Sequence, residues 1–377
     1  MMGASERAWR IDLFRGLALV MIFVNHIPDN PLTIFTTAAY GFSDAAEGFV
    51  LMAGIAAGLV FLARLETDGP AETTLRAWRR AFDLYAAHLL TVLLACAIVA
   101  YAAQVEGDPR LLGWINLGPV FDDTAAALLG VVLLGHQPGY LNILPLYIVF
   151  LLAIPALLPL AARWPALLLA GSGGVWAGAN LLNLNLPHWP TEDAWFFNPL
   201  AWQFLFVIGL VAGTRLARGL PVVPRSNALL GIAIGYLAAS LVISLDTELI
   251  WPTLPLPWFL YGLDKTWLTL PRLLHVLALA VVLARLPVAE MLARLDRPGL
   301  LVLLGRQALP VFCAGSVLAI GAQVARFVLE AGVAVELALV LGGLAVQVGL
   351  AMLLAWSDRA RRTPARRAAP AEEGATR

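Results

Sequence analysis

Long apolar runs separated by short polar stretches dominate the pattern of this chain. Ten of these runs are about as long as an α-helix that crosses the roughly 30 Å hydrocarbon core of a bilayer. They cover residues 9–27, 44–63, 82–103, 141–162, 166–184, 198–214, 227–245, 270–286, 301–323 and 336–356. A further run, 125–134, is too short to span and predicts an interfacial or re-entrant piece. The pattern therefore predicts an all-α integral membrane protein with about ten transmembrane helices.

Composition agrees with a membrane protein and excludes an ordinary soluble one. Of 377 residues, 60% are hydrophobic and 13% are charged, whereas soluble domains have about 45–50% and about 25%. The 25 basic and 25 acidic residues balance, so nucleic-acid binding driven by net charge is not expected. Cys96 and Cys313 both lie in apolar segments, and the chain has neither a disulfide framework nor a CxxC metal motif.

Arginines concentrate in every second loop, which predicts the orientation of the chain. Cytoplasmic loops carry an excess of basic residues, and placing both termini in the cytoplasm puts about 20 of the basic residues on that side. Asp12 and Arg15 interrupt the first apolar run, so it is not read as a cleavable signal. We expect residues 1–357 to form the membrane domain. Residues 358–377 are polar and predict a disordered cytoplasmic tail.

The first predicted helix carries Asp12, Arg15, Asn25 and His26, and ionisable residues inside a membrane segment suggest function. Arg15 and His26 lie on one helix face, about 16 Å apart along the axis. Histidine is well suited to removing a hydroxyl proton near neutral pH. Spacing alone leaves two structural alternatives open. Arg15 would pair with Asp12 at i, i+3, and His26 would form an interhelical hydrogen bond.

The segment 11–18, Ile-Asp-Leu-Phe-Arg-Gly-Leu-Ala, followed by Val24-Asn25-His26, resembles the opening helix of the membrane acyltransferase superfamily (acyltransferase type 3). That superfamily has an arginine and a histidine separated by ten residues, as Arg15 and His26 are. Further stretches are similar, more specifically, to the OpgC family. They are residues 30–47, 84–88, 195–203, 264–266 and 305–307.

This resemblance implies an O-acyltransferase of the bacterial inner membrane. The donor would be cytoplasmic succinyl-CoA or another acyl-CoA, used as a co-substrate with no permanently bound cofactor, and the acceptor a hydroxyl of a periplasmic glucan. His26 would be the catalytic base and Arg15 would be essential. Two alternatives stay open: acetyl transfer to another cell-surface glycan, and a multi-helix transporter or flippase, because buried charges and broken helices also suit that class.

Asp44 and Glu47 begin the second predicted helix at i, i+3. A capping box explains the two carboxylates without any function. The competing interpretation places one of them beside His26, where it would orient the imidazole and stabilise its protonated form. Glu47 is the preferred partner of His26, because it lies deeper in the predicted membrane segment.

The remaining candidates follow from the implied substrates. One group precedes the third predicted helix and would bind the phosphates of coenzyme A, although basic cytoplasmic loops are common in any case: Arg76, Arg79 and Arg80. A second group would contact the acceptor or the acyl carboxylate: Asn25, Asn198, Asp264, Lys265, Arg272 and His275.

Two motifs depart from the superfamily, so the position of coenzyme A along the chain is not fixed. Met52-Ala53-Gly54-Ile55 lacks a Ser-Gly-aromatic step, and Arg80-Ala81-Phe82-Asp83 ends in an acid where an Arg-x-x-Arg pair is common.

Four tryptophans of the outer loops would anchor the interface or line a carbohydrate surface: Trp189, Trp195, Trp251 and Trp258. Three histidines are interpreted as structural or interfacial: His88, His136 and His188. No zinc, Walker or GxSxG motif is present.

Overall fold

The computed structural model describes residues 4–245, 254–297, 299–329 and 332–367, and these residues contain helices and no β-strand. The helices are α1 (Ala4–Asn25), α2 (Ala45–Thr67), α3 (Gly69–Glu106), α4 (Gly118–Asp122), α5 (Thr124–Val132), α6 (Ile143–Arg163), α7 (Pro165–Leu181), α8 (Pro199–Ala217), α9 (Asn227–Leu245), α10 (Leu270–Arg285), α11 (Val288–Leu295), α12 (Leu300–Arg306), α13 (Ala308–Leu329) and α14 (Val333–Arg367). Short 3-10 turns lie at Pro31–Phe35, Thr37–Ala39, Pro109–Asn116 and Trp258–Leu260.

Every predicted span coincides with a helix, and the span 301–323 coincides with the pair α12 and α13. Among the described residues, seven helices are long and apolar enough to cross a membrane, or eight if the bent pair α10 and α11 forms one span. The charges of Arg10, Asp12 and Arg15 interrupt the apolar run of α1, and α7 has only 17 residues. The chain is thus an all-helical, multi-pass membrane protein, while the number ten and the side of each terminus stay predictions.

Three boundaries differ from the sequence pattern or refine it. Helix α3 begins at Gly69 rather than at residue 82, and its 38 residues extend over about 57 Å. The short run 125–134 forms α5, which has nine residues and is too short to span. Helix α14 continues to Arg367, past the predicted boundary at residue 358. The rest of the predicted tail lies outside the described residues, and its disorder stays a prediction.

Glycines allow a close contact between α2 and α8 in the core. Each helix carries two glycines four residues apart, Gly54 and Gly58 on α2 and Gly209 and Gly213 on α8. A Cβ added at any of these positions would overlap a backbone carbonyl oxygen of the facing helix. This is the small-xxx-small packing of membrane helices, in which backbones approach closely without side chains between them.

A second glycine contact joins α1 to α12 beside Arg15. A Cβ at Gly16 would overlap the carbonyl oxygen of Leu301, and a Cβ at Gly305 would overlap that of Asp12. The first helix is therefore locked against α12 at the level of its arginine. We call this region the Arg15 end, and the opposite end of α1, with His26 in its last turn, the His26 end. Because α2 is antiparallel to α1, its first residues lie at the His26 end.

The arginine alternation predicts that the His26 end faces outwards, and cysteine labelling tests this. Phe35 lies in the loop after α1 and is 73% exposed, while Ala71 is exposed near the start of α3. In a variant without Cys96 and Cys313, we expect Phe35→Cys to react with an impermeant maleimide from the periplasmic side. Ala71→Cys is the matched control and should react from the cytoplasmic side alone. The reverse pattern would overturn the predicted orientation.

Candidate active site

His26 lies in the last turn of α1, and its imidazole is only half-buried. The His26 N–H donates to the carbonyl of Ile22 at 2.9 Å, so helical geometry continues to this residue. The shared face with Arg15 that the spacing predicts is therefore present. The imidazole packs against the ring of Tyr140, with ring centroids 4.9 Å apart and planes at 60°.

The backbone around His26 is held by side chains from two elements. Gln323 of α13 donates to the His26 carbonyl at 2.5 Å, and Arg326, one turn later, donates to the Pro28 carbonyl. Asn30 donates to the carbonyls of Val24 and Ile27. The last carbonyls of a helix have no intrahelical partner, and leaving them bare in a membrane is costly. These contacts satisfy them and fix the position of His26.

Two acids and two bases form a charged cluster at the start of α2. Asp44 caps α2 and forms a capping box with Glu47. Lys265 Nζ lies 2.5 Å from an oxygen of Asp44, and Arg272 Nε donates to Glu47 at 2.7 Å. The four formal charges cancel within the cluster, which lowers the cost of burying them.

The structure does not bring Glu47 to His26. One Glu47 oxygen binds Arg272 and the other accepts the backbone N–H of Asp44. The charged groups whose fields reach the imidazole are Lys265 and Asp44. The capping box is present, and Asp44 rather than Glu47 is the carboxylate whose charge acts on His26. A catalytic role for either carboxylate stays a prediction. Sequence spacing could not predict the pairing of Glu47 with Arg272, because Arg272 lies far away in the sequence.

His275 has a partner that the sequence did not suggest. Its Nδ1 lies 2.7 Å from Ser43 Oγ, and both residues are almost fully buried. Gly41 packs directly against the other side of the imidazole, where a Cβ would overlap Nε2 of His275. His275 and Arg272 share a face of α10, as predicted, and together they tie this helix to the start of α2.

At the opposite end of α1, the pairing of Arg15 with Asp12 that the spacing allows is present. Arg15 Nη1 lies 3.3 Å from both an Asp12 oxygen and the Gly305 carbonyl. Arg306 also pairs with Asp12, at 3.5 Å. Both contacts of Arg15 are long and use a single nitrogen, so its guanidinium retains donors for a ligand.

The predicted arginine cluster lies on the first turns of α3, not in a loop. Arg76 pairs with Glu72 and Asp68, and Arg80 lies 3.9 Å from Asp83. Within the described part of the chain, Arg79 forms no ion pair. The charges of Arg80 and Arg15 both act on the hydroxyl of Tyr147 in α6.

The other predicted binding residues have structural partners. Asn198 is fully buried and caps α8 through the N–H of Leu200. Asp264 accepts from the N–H of Thr266 and shapes the turn that presents Lys265. Asn25 accepts from the hydroxyl of Thr36 at 2.9 Å. These residues shape the loops around the His26 end, and a direct role for them in binding stays a prediction.

The three outer-loop tryptophans that the structure describes differ in exposure. Trp195 is buried, Trp189 and Trp258 are exposed, and Trp251 lies outside the described residues. In place of tryptophan, Tyr140 supplies the aromatic ring at His26. Tyr140, Gln323 and Ser43 are the site residues that sequence reasoning missed, and their only signal is that each is a polar residue in or beside an apolar run.

The loop between α5 and α6 contains a buried histidine, His136, whose ring packs edge-on against His188 with centroids 5.0 Å apart. Burial, and secondarily the charge of His188, lower the pKa of His136 to about 4. Its imidazole is therefore neutral near pH 7.

This histidine predicts a loss of stability in acid. Between pH 6.5, its ordinary pKa, and about 4, the unfolded chain binds a proton at this residue while the folded chain does not, so stability falls as pH falls. The loss attributable to His136 is at most about 3 kcal/mol. Thermal unfolding in detergent should show a smaller acid-induced drop for His136→Gln than for the natural protein. An equal acid-induced loss of stability in both proteins would contradict this role of His136.

The comparison with family models decides the family. The model described as OpgC protein matches residues 7–359, which is nearly the whole chain. The chain belongs to the OpgC protein family. Membership of the OpgC family indicates a membrane acyltransferase-type function. Searches of curated proteins and of solved structures gave no match.

Proposed function

We propose that this protein is a membrane O-acyltransferase of the bacterial inner membrane that transfers a succinyl group from cytoplasmic succinyl-CoA to a hydroxyl of a periplasmic glucan. The observation that carries the proposal is the placement of His26 and Arg15. A half-buried imidazole and a guanidinium with only two long contacts among the described residues lie on one helix face, about 16 Å apart. This separation is comparable to the length of a pantetheine arm.

The Arg15 end has the features expected for the donor. Arg79 has no ion pair among the described residues, and the charges of Arg80 and Arg15 act on the same half-buried tyrosine, Tyr147. Guanidinium groups bind phosphate oxygens in bidentate pairs. We assign the phosphates of acyl-CoA to Arg79 and Arg80 in preference to Arg76, because Arg76 is already paired with two acids. The arm would then pass Arg15 towards His26.

The acceptor would react at the His26 end, where the proposed base lies. In the reaction we propose, an imidazole nitrogen of His26 removes the proton of a glucan hydroxyl, and the oxygen attacks the thioester carbonyl carbon. The carbon–sulfur bond then breaks, and the leaving thiolate of coenzyme A takes the proton from His26. The products are the ester and free coenzyme A. No acyl-enzyme is needed, because a thioester is already activated.

A direct assay tests the proposed function. Purified protein in detergent is supplied with succinyl-CoA and a glucan oligosaccharide, and the release of free thiol is followed together with the mass of the oligosaccharide. We expect thiol release that depends on the acceptor and a succinylated product. Acetyl-CoA in a parallel reaction tests the alternative donor. Transport of the oligosaccharide into vesicles without thioester consumption would favour a flippase and reject the proposal.

The mass of natural glycans gives an independent test in cells. Periplasmic glucans from cells with and without the gene are compared by mass spectrometry, and the succinyl esters should be absent without the gene. Loss of acetyl esters, or a change in a different surface glycan alone, would reject the succinyl donor or the glucan acceptor.

Arg15 is expected to act on the donor. Because hydrogen bonds to charged groups are among the stronger ones, Arg15→Ala should weaken succinyl-CoA binding by about tenfold or more, measured by isothermal titration in detergent. Arg306→Ala is the matched control, since Arg306 pairs with the same Asp12 and is more exposed. A folded Arg15→Ala variant with unchanged affinity would show that Arg15 only supports Asp12.

A further inference from the structure

An aromatic ring covers part of His26, and it comes from a loop that no motif singled out. Tyr140 precedes α6, and its half-buried ring lies 4.9 Å from the His26 ring, centroid to centroid. The ring planes are tilted by 60°, so Tyr140 does not stack flat on the imidazole. One side of the tyrosine contacts the proposed base, and the ring retains exposed surface.

The loop holds Tyr140 in a backbone conformation that side chains rarely adopt. Its φ is 67°, in the left-handed region that favours glycine. Two hydrogen bonds immediately before it fix the loop. The N–H of Gln137 donates to His188 Nε2 at 2.8 Å, and the N–H of Gly139 donates to the Ile115 carbonyl at 2.7 Å. Such strain persists where the surroundings enforce it, and it is concentrated at ligand sites.

An exposed carboxylate lies three residues after His26 in the chain. Asp29 follows the His26 turn, has a φ of 59° and is exposed. Its charge acts on the Tyr140 hydroxyl. Asp29 forms no ion pair within the described ranges, in contrast to Asp44, which is bound by Lys265. Arg326 fixes the neighbouring Pro28 carbonyl, so Asp29 projects from an anchored turn.

We propose that Tyr140 and Asp29 form the acceptor subsite, which binds one pyranose unit of the glycan beside His26. An aromatic ring offers an apolar face for the C–H face of a sugar and a polar edge for its hydroxyls. A few placed polar groups orient a ligand in such a site, and the Asp29 carboxylate accepts hydrogen bonds from sugar hydroxyls. The bound unit then presents a further hydroxyl to the imidazole. This inference rests on the proposed function and specifies its acceptor side.

The competing explanation is that Tyr140 only packs against His26 and orients it. The two explanations differ in their kinetics. An acceptor subsite affects the KM for the acceptor, and the KM for acyl-CoA stays unchanged. A positioning residue lowers kcat and leaves the KM for the acceptor unchanged.

The test measures acceptor kinetics with a linear glucan oligosaccharide at saturating succinyl-CoA. We expect Tyr140→Leu and Asp29→Asn each to raise the KM for the oligosaccharide by about tenfold. Tyr140→Phe keeps the ring and should remain within about threefold of the natural protein. Asp122→Asn, at another exposed carboxylate, is the matched control and should not change this KM.

Separate outcomes reject separate claims. An unchanged acceptor KM in both Tyr140→Leu and Asp29→Asn, with or without a fall in kcat, would overturn the subsite. If Tyr140→Leu does not fold, Asp29→Asn alone decides, because an exposed carboxylate can be replaced without loss of the fold. Absence of any acyl transfer by the natural protein would instead reject the proposed function.

Discussion

His26→Ala is expected to abolish measurable acyl transfer while the protein stays folded. Loss of a general base alone costs about 10²–10⁴-fold in rate. The fold should persist because His26 is half-buried and directly follows the end of α1, and the backbone bond from Gln323 to the His26 carbonyl does not need the side chain. Thiol release from succinyl-CoA in the presence of a glucan oligosaccharide measures the rate, and size-exclusion chromatography measures the folded fraction.

A second histidine provides the control for this experiment. His88 is completely buried in α3, and neither ring nitrogen has a hydrogen-bond partner among the residues that the structure describes. His88→Leu removes an imidazole from the same membrane domain without touching His26, and it should retain activity. Near-natural transfer by well-folded His26→Ala would refute the proposed mechanism.

Gly54→Ala and Gly209→Ala are each expected to destabilise the protein by about 1–3 kcal/mol, and the double variant should not accumulate in a folded form. A Cβ at Gly54 would overlap the Phe206 carbonyl oxygen, and one at Gly209 would overlap that of Leu51. Backbone atoms cannot move aside as a flexible side chain does, so α2 and α8 must separate. Thermal unfolding in detergent measures the loss.

Gly48 supplies a control in the same helix. It lies in α2, and apart from its chain neighbours and the adjacent backbone of α2, no described atom lies within 4 Å of the position that an alanine methyl group would occupy. Gly48→Ala should therefore be neutral or slightly stabilising, because alanine favours helix by about 1 kcal/mol. If all three substitutions had the same effect, helix propensity rather than the crossing would explain it, and the close contact would be refuted.

The sequence predicted the helices well because hydropathy acts locally. Each apolar run became a helix, and α5 kept its predicted short length. The start of α3 was missed because its first turns alternate arginines with Trp78 and Leu75. That pattern forms a regular helix but lowers the mean hydropathy, so an apolar run alone could not locate the beginning.

Sequence spacing predicted which site residues lie together only where they belong to the same helix. The common face of Arg15 and His26 followed from their separation, and His26 continues the helix as expected. The pairing of Glu47 with Arg272 joins two helices far apart in sequence. So does the contact of Gln323 with His26. Tertiary packing decides such pairs, and one sequence contains no signal that specifies them.

The tight packing around Tyr147 limits the water that this part of the membrane domain can hold. The cavity beside this residue has a volume of about 10 Å³ and is otherwise lined by apolar side chains such as Phe49 and Phe150. A space of this size holds at most about one water molecule, and proton conduction needs a continuous chain of them. The space beside Tyr147 therefore holds no chain of water molecules that could carry protons through this part of the helix bundle.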